Sequence, residues 1–95
     1  MSEPATTSIL LVDDQPMLRM GYRMILDAQP DLSVVGEAEN GLEAIDLTAR
    51  LEPNVVLMDV RMPDLDGVQA TERIVASGSD SRIIILTTFD LDEYA

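Results

Sequence analysis

The chain has 95 residues, of which 18 are acidic and 6 are basic, and its formal net charge is -12. All six basic residues are arginines, and cysteine and histidine are absent, which excludes disulfides, thiolate metal sites and imidazole general bases. A chain this short forms one small domain, and one this acidic is not expected to bind nucleic acid directly.

The first eight residues lack the cationic start and apolar core of a signal peptide, and no apolar run approaches membrane-spanning length. We predict a disordered tail over residues 1–8 and a single domain over residues 9–95. We expect the protein to be cytoplasmic, with no membrane contact.

The first predicted strand is the apolar run 9–12, which ends on Asp13 and Asp14. The spacing of apolar residues then predicts a helix from Pro16 to about Ala28, since proline suits the first turn of a helix. A short second strand is predicted over residues 32–36.

The next pair of elements is a helix over residues 41–51 and a buried strand over residues 55–58 that ends on Asp59. The spacing of apolar residues in this helix predicts a core-facing side formed by Leu42, Ile45 and Ala49.

Asp66 is predicted to cap a third helix, whose apolar stripe comprises Val68, Thr71, Ile74 and Val75. The fourth apolar run, residues 83–86, ends on Thr87 and Thr88, and Asp90 is placed to cap a further helix. The alternation of strands and helices predicts an α/β fold with a doubly wound parallel sheet between two helical layers.

Acidic residues follow two of the predicted strands directly. If those strands are neighbours, Asp13, Asp14 and Asp59 share one crevice at the carboxyl edge of the sheet. Two carboxylates about 4 Å apart repel by roughly 4 kcal/mol at an effective dielectric constant of 20, so the cluster should bind a cation or take up a proton. All-oxygen ligands favour Mg²⁺ or Mn²⁺. Other acids, Glu37 among them, are expected to lie on the solvated surface.

A magnesium site beside a carboxylate indicates phosphoryl chemistry, because the cation screens the repulsion between a carboxylate and a phosphoryl group. Asp59 is the predicted nucleophile. Thr87 either donates its hydroxyl to a phosphoryl oxygen or merely begins a turn, and the residues alone do not favour one reading.

Several segments together resemble the receiver domains of bacterial two-component response regulators, in particular those of the NarL/FixJ (LuxR-type) family. They are ILLVDD (9–14), VVGEA (34–38) with NG (40–41), PNVVLMD (53–59) continuing through MP (62–63) to DG (66–67), and IIILTT (83–88). Each segment alone is weak, but their order is specific.

The resemblance implies a flavodoxin-like (CheY-like) fold with strand order 2-1-3-4-5. It also implies that Asp59 accepts phosphate from a sensor histidine kinase and that Asp13 and Asp14 form the metal pocket. Arg61 would contribute its backbone carbonyl to the metal, and Thr87 would be the switch hydroxyl. Such a domain is not an enzyme and promotes only its own phosphorylation and dephosphorylation.

The chain departs from the family pattern at its C-terminal end. The family has a lysine at the end of a fifth strand and an aromatic switch residue shortly before it, and this chain contains no lysine. We therefore expect a chain truncated before the fifth strand, with a sheet incomplete at its C-terminal edge. Self-association is expected to follow. DNA binding would belong to a C-terminal helix-turn-helix output domain absent from this chain.

Two alternatives stay open. One is a Mg²⁺-dependent aspartyl-phosphate phosphatase or phosphotransferase, although such enzymes commonly carry an acid two positions after the nucleophile, where this chain has Arg61. The other is a receiver-like interaction module that takes no phosphate.

Overall fold

The computed structural model describes residues 6–60, 62 and 65–86. Within these residues, strands and helices alternate as the sequence predicts. The strands are β1 (Thr7–Val12), β2 (Leu32–Ala38), β3 (Val55–Asp59) and β4 (Arg82–Leu86), and the helices are α1 (Pro16–Asp27), α2 (Gly41–Leu51) and α3 (Gly67–Ala76).

The described strands form one parallel sheet in the order β2-β1-β3-β4. This order confirms the flavodoxin-like α/β fold. The chain leaves β1 toward β2 on one side and later returns to β3 on the other side. In such sheets the carboxyl ends of the two central strands border an open crevice, so β1 and β3 define the edge where a ligand is expected.

Two element boundaries differ from the prediction. β1 begins at Thr7, whose backbone N–H donates to the carbonyl oxygen of Asp31 at 2.9 Å. The predicted tail is therefore wrong for Thr7 and Ser8, because they pair with β2. β2 continues to Ala38, beyond the predicted end at residue 36, because it stays paired with β1 up to Val12, after a register shift between Ile9 and Leu10. The helix that Asp90 was predicted to cap lies outside the described residues.

Three hydrogen bonds between Ser8 and Asn54 join the amino ends of the two central strands. The Asn54 side-chain oxygen accepts from the backbone N–H of Ser8 at 2.8 Å and from its hydroxyl at 2.9 Å. The Asn54 backbone N–H in turn donates to the Ser8 hydroxyl at 2.9 Å. Ser8 directly precedes the Ile9–Val55 pair, so this contact fixes the register of β1 against β3.

The helices begin at residues suited to that role. Pro16 opens α1, where a missing N–H costs no hydrogen bond. The Asp66 side chain accepts from the Gln69 backbone N–H at 2.8 Å, which confirms it as the cap of α3. Asn40 caps α2 in the same way through Glu43.

The main core lies between the sheet and the helices α2 and α3. Its fully buried side chains include Leu10, Val12, Val56 and Met58 from the strands and Ala44, Ala70 and Ile74 from the helices.

The predicted core-facing sides of α2 and α3 are partly wrong. Leu42, Ala49, Val68 and Val75 are exposed, whereas the buried residues are Gly41, Ala44 and Thr48 in α2 and Gly67, Ala70 and Ile74 in α3. Small residues face the core because they let each helix lie close to its neighbours. A side chain at Gly41, for example, would overlap the backbone of Leu65.

The opposite side of the sheet is less well covered. α1 contributes no fully buried residue. Large apolar side chains are exposed there and on β4, namely Met17, Met20, Met24 and Ile25 on the helix and Ile84 and Ile85 on the strand. None of the described helices has the length and apolar character needed to cross a membrane.

Candidate functional site

The carboxyl edge of the sheet brings three acidic side chains together. Asp13 and Asp14 follow the last residue of β1, and Asp59 is the last residue of β3. β1 and β3 are adjacent, with Val12 paired to Met58, so the residues that follow each pair are neighbours as well. Carboxylate oxygens of all three acids lie within 4.8 Å of one another. The predicted convergence is confirmed.

Two of these acids are almost completely buried. Asp13 is 1% exposed and Asp59 is 2% exposed, whereas Asp14 is half-buried. At such separations, like charges repel by a few kcal/mol even at an effective dielectric constant of about 20. A bound cation offsets this repulsion and so stabilises the charged form of the buried carboxylates.

The contacts of Asp13 show how a cation would fit. Its Oδ1 accepts from the Gln15 backbone N–H at 2.8 Å, which fixes the carboxylate. Its Oδ2 is buried and has no hydrogen-bond partner among the described residues. A buried acceptor without a donor is costly, and a hard cation satisfies it. The three acids therefore suit a divalent cation bound by oxygen ligands.

Gly67 allows the first residue of α3 to lie against the end of β3. The Gly67 N–H donates to the carbonyl oxygen of Val60 at 3.1 Å, and a Cβ at this position would overlap the carbonyl oxygen of Asp59. Only glycine lets α3 begin this close to β3. Sequence reasoning identified Gly67 only as part of the DG motif that follows β3, because its contact with Asp59 depends on the folded structure.

Two predicted site residues, Arg61 and Thr87, lie outside the described residues, so their roles stay predictions. β4 ends next to the site, since Leu86, which precedes Thr87, is paired with Asp59. The Val60 N–H also donates to the carbonyl oxygen of Leu86 at 3.3 Å.

Glu37 is not a simple surface acid, contrary to expectation. It lies in β2 and contacts two arginines of α1: its Oε1 is 3.1 Å from the Arg19 Nε, and its Oε2 accepts from Arg23. The Glu37 carboxylate, and to a lesser extent Asp27, raises the pKa of the Arg23 guanidinium. Arg19 also donates to the backbone carbonyl of Asp13 at 2.6 Å. No sequence signal links residues 18 positions apart on different elements.

A family model described as the response regulator receiver domain matches residues 9–95. The chain is 47% identical over 85 residues to the transcriptional regulatory protein LiaR of Bacillus subtilis, a match that covers 90% of this chain and 40% of LiaR. It is 38% identical over 91 residues to the nitrate/nitrite response regulator protein NarL of Escherichia coli, covering 96% of this chain and 41% of NarL. The chain thus spans about two fifths of the length of these relatives.

A solved structure gives the same assignment. The signal receiver domain of the response regulator NarL from Mycobacterium tuberculosis superposes with a TM-score of 0.87 at 31% identity, covering 92% of this chain and 70% of that chain. The resemblance seen in the sequence motifs is thereby confirmed at the level of the whole fold. The chain belongs to the response regulator receiver domain family and is of its NarL/FixJ type.

Proposed function

We propose that this chain is the phospho-accepting module of a two-component response regulator and that Asp59 takes up a phosphoryl group from a sensor histidine kinase. The observation that carries the proposal is the meeting of three carboxylates, from the ends of two adjacent strands, within 4.8 Å. Such a costly grouping of buried charge is best explained by chemistry that uses a cation and a phosphoryl group.

Asp13, Asp14 and Asp59 would hold Mg²⁺ or Mn²⁺, with the backbone carbonyl of Arg61 as a further ligand. The bound cation would screen the anions from one another and orient the phosphoryl oxygens. The orphan Oδ2 of Asp13 supports this assignment, because it is a buried oxygen ligand on a carboxylate that is already fixed.

Asp59 would act as the nucleophile. One of its carboxylate oxygens attacks the phosphorus, the P–O bond forms as the P–N bond of the phosphohistidine breaks, and the departing imidazole nitrogen takes up a proton. The burial of Asp59 at the end of a strand supports this role, since it limits access of competing water. The Thr87 hydroxyl would then bind a phosphoryl oxygen and move a neighbouring surface.

The module would act through partners. Its sensor kinase supplies the phosphoryl group, and a helix-turn-helix output domain elsewhere in the regulator binds DNA in the cytoplasm. The acidic receiver itself makes no direct contact with nucleic acid, because its net charge of -12 repels phosphates.

Among the alternatives, a phosphatase would turn over a generic phosphate ester, whereas a receiver retains one phosphate per chain until it hydrolyses. Arg61 stands where such enzymes commonly carry a second acid. An interaction module that takes no phosphate would show neither behaviour.

Labelling tests the proposal. The chain should be labelled stoichiometrically by acetyl phosphate or by a phosphohistidine donor in the presence of Mg²⁺, and Asp59→Asn should abolish the label. Asp80→Asn is the matched control, because Asp80 is an exposed acid in the loop before the amino end of β4. Persistent labelling of Asp59→Asn, or no labelling of the parent chain, would contradict the proposal.

A further inference from the structure

Arg19 links α1 to the ends of two strands. Its side chain is mostly buried, with 16% of its surface exposed. The guanidinium Nη1 donates to the carbonyl oxygen of Asp13 at 2.6 Å, and Nε donates to Oε1 of Glu37 at 3.1 Å. A guanidinium removed from water needs such acceptors, so both contacts contribute to holding it in place.

Glu37 anchors this arrangement from β2. Its second carboxylate oxygen accepts from Arg23, which is more exposed than Arg19 and also contacts Asp27 at 3.4 Å. Glu37 is paired with Leu11 of β1 in the sheet, so its position follows from the strand register. Arg19 therefore has a fixed acceptor on one side and the Asp13 carbonyl on the other.

The Asp13 carbonyl belongs to the peptide unit that joins the two consecutive acids of the site. A peptide unit is planar, so the direction of its carbonyl sets the direction in which Asp14 leaves β1. The Asp13 N–H donates to the carbonyl oxygen of Ala38 at 3.0 Å, which fixes the unit before it. Arg19 supplies the corresponding constraint on the unit that follows.

We propose that Arg19 is a positioning residue of the acidic site. Through the Asp13 carbonyl it fixes the peptide unit between Asp13 and Asp14, so that both carboxylates meet Asp59 in the geometry that a divalent cation requires. This inference rests on the proposed function, because it assigns Arg19 a role in cation binding by the same acids. Arg19 acts through the backbone of Asp13.

Lysine would not replace Arg19. The guanidinium donates from two nitrogens in a rigid fork and so reaches a carboxylate and a carbonyl together, whereas an ammonium group is a single flexible donor. Arg19→Lys keeps the charge and most of the packing but loses the geometry.

Mn²⁺ affinity of the full chain, measured by electron paramagnetic resonance, tests the role. We expect Arg19→Lys and Arg19→Ala to weaken Mn²⁺ binding by roughly 10-fold. Mutation of a residue that orients a metal ligand typically weakens metal binding by about 10- to 100-fold, and the expected effect is at the lower end of that range. The matched control is Arg50→Lys, because among the described residues Arg50 makes only an exposed ion pair with Asp46, at 3.7 Å. That variant should bind Mn²⁺ like the parent.

A second measurement separates positioning from general damage. The Mg²⁺ concentration that gives half-maximal labelling by acetyl phosphate should rise by the same factor in Arg19→Lys, while the labelling rate at saturating Mg²⁺ stays within about two-fold of the parent. Loss of folded protein would instead lower the saturated amplitude. Circular dichroism checks folding. If Arg19→Ala does not fold, Arg19→Lys alone tests the positioning role of Arg19.

Two results would overturn the inference, and they differ in what they say about the proposed function. If both folded Arg19 variants bind Mn²⁺ like the parent while Asp13→Asn does not bind it, Arg19 has no positioning role and the proposed function stands. If the parent binds no Mn²⁺ and labelling survives Asp59→Asn, the proposed function fails and the inference fails with it.

Discussion

Asp13 is constrained at three of its four polar atoms. Its N–H and carbonyl are bound by Ala38 and Arg19, and one carboxylate oxygen is bound by the N–H of Gln15. The remaining carboxylate oxygen is buried without a hydrogen-bond partner among the described residues. The local backbone therefore determines which oxygen is offered to a cation, and a ligand that is already fixed loses little conformational entropy on binding.

A substitution at Gly67 tests the close contact between this residue and Asp59. We expect Gly67→Ala to lower the free energy of unfolding by about 1–3 kcal/mol, the usual cost of overpacking, because the new Cβ would overlap the carbonyl oxygen of Asp59. Gly21→Ala is the matched control. Apart from its chain neighbours and the backbone of its own helix, no atom of the described residues lies within 4 Å of the new Cβ. Replacing this helical glycine should stabilise the chain by about 0.5–1 kcal/mol. Urea denaturation measures both. Equal stability of the two variants would contradict this account of the loop.

The sequence predicts some site residues and not others. Asp13, Asp14 and Asp59 are predictable because parallel strands end at the same edge of a sheet, and the resemblance to receiver domains implies that β1 and β3 are neighbours. Arg19 and Glu37 are not predictable, because their contact depends on the angle at which α1 crosses β2, and no periodicity in the chain encodes that angle.

At the scale of elements, the sequence predicts the bounds of the helices better than their orientation. Their existence and bounds follow closely from caps and apolar spacing, and α2 is predicted to the residue. The direction of their core-facing sides does not follow, because the spacing of apolar residues placed Leu42 and Val75 in the stripes expected to face the core. α2 and α3 instead face the core largely through glycine and alanine, which permit close approach, while Leu42 and Val75 remain exposed.

Adjacent residues of α3 test this orientation. Ile74 is 2% exposed and Val75 is 64% exposed. We expect Ile74→Ala to lower the free energy of unfolding by about 2–5 kcal/mol through loss of buried surface and formation of a cavity. Val75→Ala should change it by no more than about 0.5 kcal/mol. Thermal or urea denaturation distinguishes the two, and a larger effect at Val75 would mean that α3 is rotated from the orientation described.

At the scale of the whole molecule, charge and apolar surface oppose each other. The net charge of -12 disfavours contact between copies, whereas the exposed apolar residues of α1 and β4 favour it. Among the described strands β4 pairs only with β3, and no described residue pairs with its other edge. The balance between these effects depends on salt, because screening weakens only the repulsion.

We expect this chain to self-associate through β4, and more strongly at high salt. Sedimentation velocity at several protein concentrations should show the association. Ile84→Lys should shift the chain toward monomer, because it places a charge on an edge strand at a residue that is 50% exposed. Leu42→Lys, at a residue 55% exposed on α2, is the matched control and should behave like the parent. A monomer at all concentrations and salt conditions would contradict the expectation.

The hydrogen bonds between Ser8 and Asn54 have a consequence at the opposite end of the sheet. Successive side chains of a strand point to opposite faces, so sliding β3 by one residue along β1 would turn Asp59 away from its two acidic neighbours. Two uncharged polar residues at the amino edge of the sheet therefore fix the strand register that brings the three acids together at the carboxyl edge. The position of Asp59 is therefore set where each central strand starts.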